Sequence, residues 1–438
     1  MRLVFIHTSS ILNLRGSERW LLDIVSLMKA FSVQVQVVNF DYDQKYGTDR
    51  DEIKKRRKMV KESLGGTPFA ELSALRLSLP LRITPLGKAT TRTLNRYLNF
   101  IPISSRFFRS LRSSDVIYFL QVNRRPIHLL VILILATLAG RKRVIGGVHV
   151  TPEYTSLQVR MLRFFVRIGV LTGIHVVSQT QVERIRSMLG CRTDYVPNGI
   201  FLERFANRQD SKNRSEFSVL FVGAMTSVKG ADFLPAIDEN LRKRNIPFKL
   251  QICTSGGHLS KSIQDWASTR PEVSFLGFVA QEELARIYKV ASVLILPSRR
   301  ELFGLACIEA LASGTPVVVS QAEGFRQTVI DGYNGYTAQS FSPEAFSDEL
   351  LKVYNLWSRN RPQYDDLCRN GREYVTEHFR WQNLQKEFVL LINNACKTTR
   401  PVKVDTGRSP FTRKAASETD QNRKASVLHR TNCRIIHD

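Results

Sequence analysis

Two carboxylates, Glu301 and Glu309, stand eight residues apart in the stretch "VLILPSRRELFGLACIEALASGTPVVVS". An apolar run ends at Pro297, a loop carries Glu301, and the pattern predicts a helix starting near Gly304. The first amides of a helix have no partner within it and its macrodipole is positive there, so such a start suits a diphosphate. Gly304 lacks the side chain that would block close approach. Glu309 falls in the first turns of that helix and faces the same cleft if the helix points its N-terminus inward. A carboxylate accepts two hydroxyl hydrogen bonds together, which suits a ribose diol or a sugar ring. Taken singly, each residue has a plainer reading. Glu309 could be an ordinary helix glutamate, and Glu301 a residue favoured by the helix dipole. Lys229 before Gly230 could be a solvated lysine in a turn, His149 a structural histidine, and Asn198-Gly199 a turn dipeptide.

Alternating strand and helix patterns have to position these residues. "RLVFIHT", "VQVQVVNF", "DVIYFL", "RVIGGVHV" and "GIHVVS" read as strands separated by helical stretches, the signature of a parallel sheet with helices on its faces. A second block opens near Phe217, with "FSVLFVG", "FKLQIC", "VSFLG", "SVLILPS" and "TPVVVS" as its strands. The fold class is therefore α/β, two Rossmann-like domains facing across a cleft, with ligands expected at the carboxyl ends of the strands. We place an N-terminal domain over residues 1–195 and a C-terminal domain over 196–380. A closing helix follows over 381–396, then a basic tail, read as disordered, over 397–438. Residues 44–114 read as a basic, irregular or helical insertion; from Leu72 to Ser114 there are eight Arg/Lys and no acid.

The string "PSRRELFGLACIEALASGTPVVVS" resembles the donor-site signature of the retaining GT-B glycosyltransferases of group 1. That family includes bacterial mannosyltransferases and sucrose-phosphate synthase. Glu301 and Glu309 match its Glu-x7-Glu pair, Phe303, Gly304 and Leu305 its connecting loop, and "VIDGYNGY" its Asp-Gly-x-Asn-Gly turn. "VLFVGAMTSVKGADFL" resembles the family's diphosphate loop, with Lys229 and Gly230 kept and Ala224 in the position of its Arg. "DYVPNGIFLERF" keeps Asn198 and Gly199, with Phe201 in place of an Asp. "NLRGSERW" keeps Gly16, with Arg15 replacing the earlier Gly. Glu323 and Gln327 take the places of a Gly and a Glu. His149 matches the His that the family sets beside the transferred sugar.

The resemblance implies a retaining, metal-independent hexosyltransferase that moves a sugar from a nucleotide-diphosphate-sugar donor to a glycan, lipid-linked or other acceptor. It assigns His149 and Glu301 to the catalytic centre, with Glu301 on a hydroxyl of the donor sugar. Glu309 would bind the ribose, and Lys229 with the Gly304 and Leu305 amides the diphosphate. Gly16, Asn198, Gly199, Arg300 and Phe303 complete the donor set, with Arg299 or Arg300 as candidates for the cation missing at 224. No cofactor beyond the donor substrate and no metal is implied. Two other readings remain: a catalytically degenerate GT-B scaffold that binds a partner, or a nucleotide-sugar epimerase.

Composition limits the partners. The formal net charge of +25 attracts polyanions, and an anionic membrane surface is one such partner, with "SRFFRSLRS" as a candidate surface helix. No nucleic-acid-binding pattern accompanies the charge. Six cysteines without a C-x-x-C pair fit a reducing compartment, so the expectation is a cytoplasmic protein, peripheral at the inner face of the membrane. The apolar stretch Ile127 to Gly140 is too short to span a bilayer and reads as a core helix.

Overall fold

The computed structural model describes residues 1–7, 16–31, 33–41, 50–73, 105–122, 126–140, 143–151, 153–205 and 216–397. The later part of the basic insertion, Arg15 and the tail from 398 lie outside them. The first sheet contains β1 (Arg2–His7), β2 (Gln34–Asp41), β3 (Phe69–Ser73), β4 (Val116–Phe119), β5 (Val144–Val148), β6 (Leu171–Val176) and β7 (Thr193–Tyr195). Between them run α1 (Gly16–Lys29), α2 (Arg50–Leu64), α3 (Ser105–Ser113), α4 (Pro126–Leu138), α5 (Ser156–Arg167) and α6 (Gln181–Leu189). The second sheet contains β8 (Ser218–Val222), β9 (Lys249–Cys253), β10 (Val273–Gly277), β11 (Val293–Leu296), β12 (Val317–Val319) and β13 (Gly335–Thr337). Its helices are α7 (Leu234–Lys243), α8 (Ser260–Ser268), α9 (Gln281–Val290), α10 (Leu305–Ala312), α11 (Pro343–Arg359) and α12 (Arg361–His378), followed by α13 (Trp381–Lys397).

The strand orders are β3-β2-β1-β4-β5-β6-β7 and β10-β9-β8-β11-β12-β13, with every pairing parallel. Each sheet therefore starts in the middle, winds outward one way, and resumes on the other side. Right-handed crossovers then put the helices on opposite faces. The direction reverses between β1 and β4 in one sheet and between β8 and β11 in the other, the places where such sheets open a crevice. Central strands buried on both faces read as unbroken apolar runs, as β11 and β4 do.

One face of the first sheet packs Trp20, Ile24 and Met28 of α1 and Val60 of α2 against Trp381, Phe388 and Ile392 of α13. The chain thus returns to its first half after completing the second, and the crossing is fixed by backbone bonds between Ile200 and residues 379–381. The other face packs Leu129 and Leu133 of α4, Leu162 and Phe165 of α5 and Ile185 of α6. The same apolar cluster continues into Tyr288 of α9 and Ile308 of α10. Helix α5 starts at a capping box: Thr155 accepts from the Gln158 amide, and the Gln158 side chain accepts from the Thr155 amide.

Three short strands differ from the sequence expectations. β3 lies in the segment read as irregular or helical, and β7 and β13 have three residues each. None has a long apolar run; each is a strand because a neighbour's edge supplies its ladder. Among the described residues no helix is long and apolar enough to cross a membrane.

Candidate functional site

The loops that follow β8 and β11 lie side by side at the second sheet's point of reversal. Thr226 caps a short turn whose last residue is Lys229, and Gly230 follows with φ 71°. A Cβ on Gly230 would overlap the carbonyl of Pro297, so only glycine lets this turn sit directly on the end of β11. The Arg299 amide donates to the Val228 carbonyl at 2.9 Å and ties the loops together. That contact brings the Lys229 ammonium onto the Glu301 carboxylate in a direct ion pair, both groups partly exposed. Residues 72 apart in sequence, chosen for phosphate and sugar hydroxyl, are therefore neighbours.

Helix α10 starts where the sequence placed it, with Gly304 as its N-cap at φ 87°. A Cβ there would also meet the Phe325 ring at 2.7 Å, so the glycine is required by backbone and packing before any ligand is considered. The first intrahelical bond runs from the Cys307 amide to the Gly304 carbonyl. The Leu305 and Ala306 amides precede it, at the positive end of the helix.

Glu309 is 3% exposed. It accepts a hydrogen bond from Tyr288 Oη at 3.0 Å. Burial, with the Glu309 charge beside it, holds the Tyr288 phenol well above its ordinary range, so it remains a donor. The Arg19 guanidinium, on α1, lies 3.3 Å from both Glu309 oxygens. Each glutamate of the pair thus carries one cation, and Arg19 brings the start of α1, which begins at Gly16, against α10. Neither Arg19 nor Tyr288 was singled out from sequence; only the Ser-Glu-Arg run after Gly16 sat near a motif.

The arginines beside Glu301 are occupied elsewhere. Arg299 forms two 2.7 Å bonds to Asp232 and stacks on Phe233 and Phe341, each ring centre 4.9 Å away. Arg300 pairs with Glu153 of the first half. The Phe303 side chain is buried edge-on against Phe379 and belongs to the core. Gly199 lies against Trp381, whose ring a Cβ would meet at 2.6 Å, and Asn198 is buried beside it. Packing accounts for Gly199 without a ligand, whereas Asn198 Oδ1 is buried with no hydrogen-bond partner among the described residues.

The family departures also have local reasons. Gln327 donates its amide to the Val177 and Leu302 carbonyls at 3.2 and 3.4 Å and accepts from Tyr195. An ionised glutamate could not donate either bond. Glu323 accepts from Gln181 at 2.7 Å and from the Thr180 hydroxyl. Phe201 carries the Arg204 guanidinium over its ring at 4.8 Å, and Arg204 pairs with Asp23 at 2.6 Å. These substitutions pin the second half of the chain to the first.

His149 follows β5, partly buried, with its ring centre 4.2 Å from that of Trp20. Its Nε2 lies 2.9 Å from Tyr118 Oη. Burial, with His175 and His7 nearby, pushes its pKa well below the ordinary histidine value.

Residues 203–374 match the model of the family Glycosyl transferases group 1. An uncharacterized glycosyltransferase of Methanocaldococcus jannaschii is 33% identical over 178 residues, 40% of this chain and 44% of that protein. The mannosylfructose-phosphate synthase of Agrobacterium fabrum is 28% identical over 221 residues, 48% of this chain and 47% of that one. The chain thus spans about half the length of the curated relatives it matches. Among solved structures, Anabaena Alr3699/HepE in complex with UDP and glucose superposes with a TM-score of 0.67 at 16% identity, over 90% of this chain and 100% of that one. The sucrose-phosphate synthase of Thermosynechococcus elongatus gives 0.63 at 17%, over 90% and 98%. The fold is that of these structures, the GT-B fold.

Proposed function

We propose that the chain is a retaining glycosyltransferase that takes a nucleotide-diphosphate sugar as donor and works without a metal. The observation that carries this reading is the pairing of Lys229 with Glu301 beside the N-terminus of α10, with Glu309 one turn further in. A donor of this kind presents hydroxyls at both ends and a diphosphate between them. Glu309 accepts from the ribose diol, Glu301 accepts from a hydroxyl of the transferred sugar, and Lys229 with the Leu305 and Ala306 amides meets the phosphates. Arg19 supplies a second cation within reach of the nucleotide, in place of the arginine absent at 224. UDP and glucose in the Anabaena structure support a nucleotide sugar as the substrate class.

The bond from the sugar's anomeric carbon to the diphosphate oxygen breaks, and the electron pair leaves with the phosphate. The acceptor hydroxyl attacks the same face, and its proton passes to the departing phosphate oxygen. The protein's share is charge stabilisation on that oxygen and positioning of both reactants. No side chain serves as nucleophile. Incubating the full chain with a panel of nucleotide sugars and candidate acceptors, and measuring released nucleoside diphosphate, tests the reading. Donor binding without release across the panel would leave the non-catalytic scaffold; conversion of donor to its epimer without acceptor would make the chain an epimerase.

The acceptor side of the proposal is a lipid-linked glycan on an anionic membrane. Leu157, Arg160, Phe164 and Arg167 form one exposed stripe along α5, with Ile134 and Leu138 exposed on neighbouring α4. Between Asp115 and Glu183 there are eight Arg/Lys and one acid. Apolar side chains that enter the headgroup region, flanked by cations, suit such a surface.

A further inference from the structure

Strands β4, β5 and β6 carry a chain of hydrogen bonds that the donor reading does not use. The His175 Nε2 lies 2.8 Å from the Val196 carbonyl. The Tyr118 hydroxyl lies 2.6 Å from His175 Nδ1 and 2.9 Å from His149 Nε2. A carbonyl can only accept, so His175 carries its proton on Nε2. Neutral His175 then offers a lone pair on Nδ1, and Tyr118 has to donate to it. The Tyr118 oxygen is left as the acceptor for His149, which must hold its proton on Nε2. His149 Nδ1 is thereby a bare lone pair, and it is buried with no hydrogen-bond partner among the described residues.

The backbone is built around this chain. Gly147 pairs with His175 in the sheet register. A Cβ at 147 would overlap the Tyr118 hydroxyl and come within 2.9 Å of His149 Nε2. The double glycine of "RVIGGVHV" thus leaves the space in which Tyr118 reaches two imidazoles. Trp20 covers the group, its ring centre 5.5 Å from Tyr118 and 5.9 Å from His175. Burial keeps His175 neutral, its pKa pushed down to about 4.

We propose that Val196, His175 and Tyr118 act as a relay of positioning residues that locks His149 in its Nε2–H tautomer, so that the imidazole which the family resemblance sets beside the transferred sugar can meet a sugar hydroxyl on Nδ1 only as an acceptor. This rests on the donor reading above for the identity of the ligand, but the tautomer lock does not. The consequence is specificity: a sugar with a methyl ether or hydrogen in place of that hydroxyl leaves Nδ1 unpaired, and a buried polar site discriminates strongly against such analogues.

The test uses the full chain with isotopically labelled histidine and long-range proton–nitrogen NMR, without donor. His149 is expected as the Nε2–H tautomer at neutral pH, and the Tyr118→Phe variant, which keeps the ring, is expected to lose that preference. A His149 signal with the proton on Nδ1, or one unchanged in Tyr118→Phe, overturns the relay. Gly147→Ala, which crowds the Tyr118 hydroxyl, gives a second perturbation should Tyr118→Phe fail to fold. With a donor in hand, Tyr118→Phe should raise the donor-sugar KM about tenfold, the equivalent of one ordinary hydrogen bond, while free nucleoside diphosphate binds as before. A preserved tautomer shift with unchanged KM would keep the lock and overturn the sugar contact.

Discussion

The Glu309→Gln variant separates the nucleotide end of the site from everything else. The Glu309 carboxylate is held by Tyr288 at 3.0 Å and straddled by Arg19 at 3.3 Å to each oxygen. Both Arg19 distances exceed the ~2.7–2.9 Å of a tight charge-assisted bond. The Arg19 side chain keeps 19% of its exposure against 4% for Glu309, so the pair is largely shielded and its long geometry, rather than solvent, limits its strength. A ribose diol that takes both oxygens gains about 1.5–3 kcal/mol per hydrogen bond to the charged group and displaces only that weak contact. Glutamine keeps one accepting oxygen, enough for Tyr288, and turns an amide that can only donate toward the second hydroxyl. The net loss is about 2–3 kcal/mol, or roughly 30- to 150-fold weaker binding. Calorimetry with a nucleoside diphosphate and its 2′,3′-dideoxy counterpart, on both proteins, reads this directly. The ribose form should lose the full factor in Glu309→Gln, and the dideoxy form should bind the two proteins alike. An equal loss for both nucleotides, or a ribose nucleotide within about twofold of wild type, would refute the assignment of Glu309 to the diol.

Two further outcomes follow from the first half of the chain. His175 has a folded pKa near 4 against an ordinary 6.5, so between those values the unfolded chain binds more protons; its contribution to stability is intact above pH 6.5 and is lost as pH falls toward 4. The difference amounts to roughly 3 kcal/mol, and urea titrations across that window should show a shallower pH slope in His175→Gln than in wild type; identical slopes would contradict the buried neutral imidazole. For the acceptor side, paired Leu157→Glu and Phe164→Glu substitutions on the exposed stripe of α5 should abolish flotation with phosphatidylserine-rich vesicles without lowering thermal stability, and retained flotation would remove that face as the docking surface.

Much of the site was legible because its signals are local. The apolar runs that became β8 and β11, the start of a helix after Gly304, and the Lys229-Gly230 turn are set by residues within a few positions of one another. Period, turn chemistry and helix-end electrostatics act over that range. Parallel sheets with helices on their faces also follow from alternation of strand and helix, whereas the strand orders with their reversals were decided by the fold. Partners were not legible. Arg19 meets Glu309 across 290 residues, and Glu323 meets Gln181 across 142. Phe303 and Gly199, next to or within motifs, are taken up by Phe379 and Trp381. The short strands β3, β7 and β13 exist because an existing edge pairs them.

Glu301 and Glu309 show where the division falls. Their spacing, and the helix start between them, came from the sequence alone, because backbone geometry converts eight residues of loop and helix into a fixed pair of carboxylates. That one is neutralised by a lysine from the adjacent loop and the other by an arginine from the far half was decided by tertiary structure. A charge finds its counter-ion through space, and only the folded path of the chain determines which cation arrives within a few ångströms.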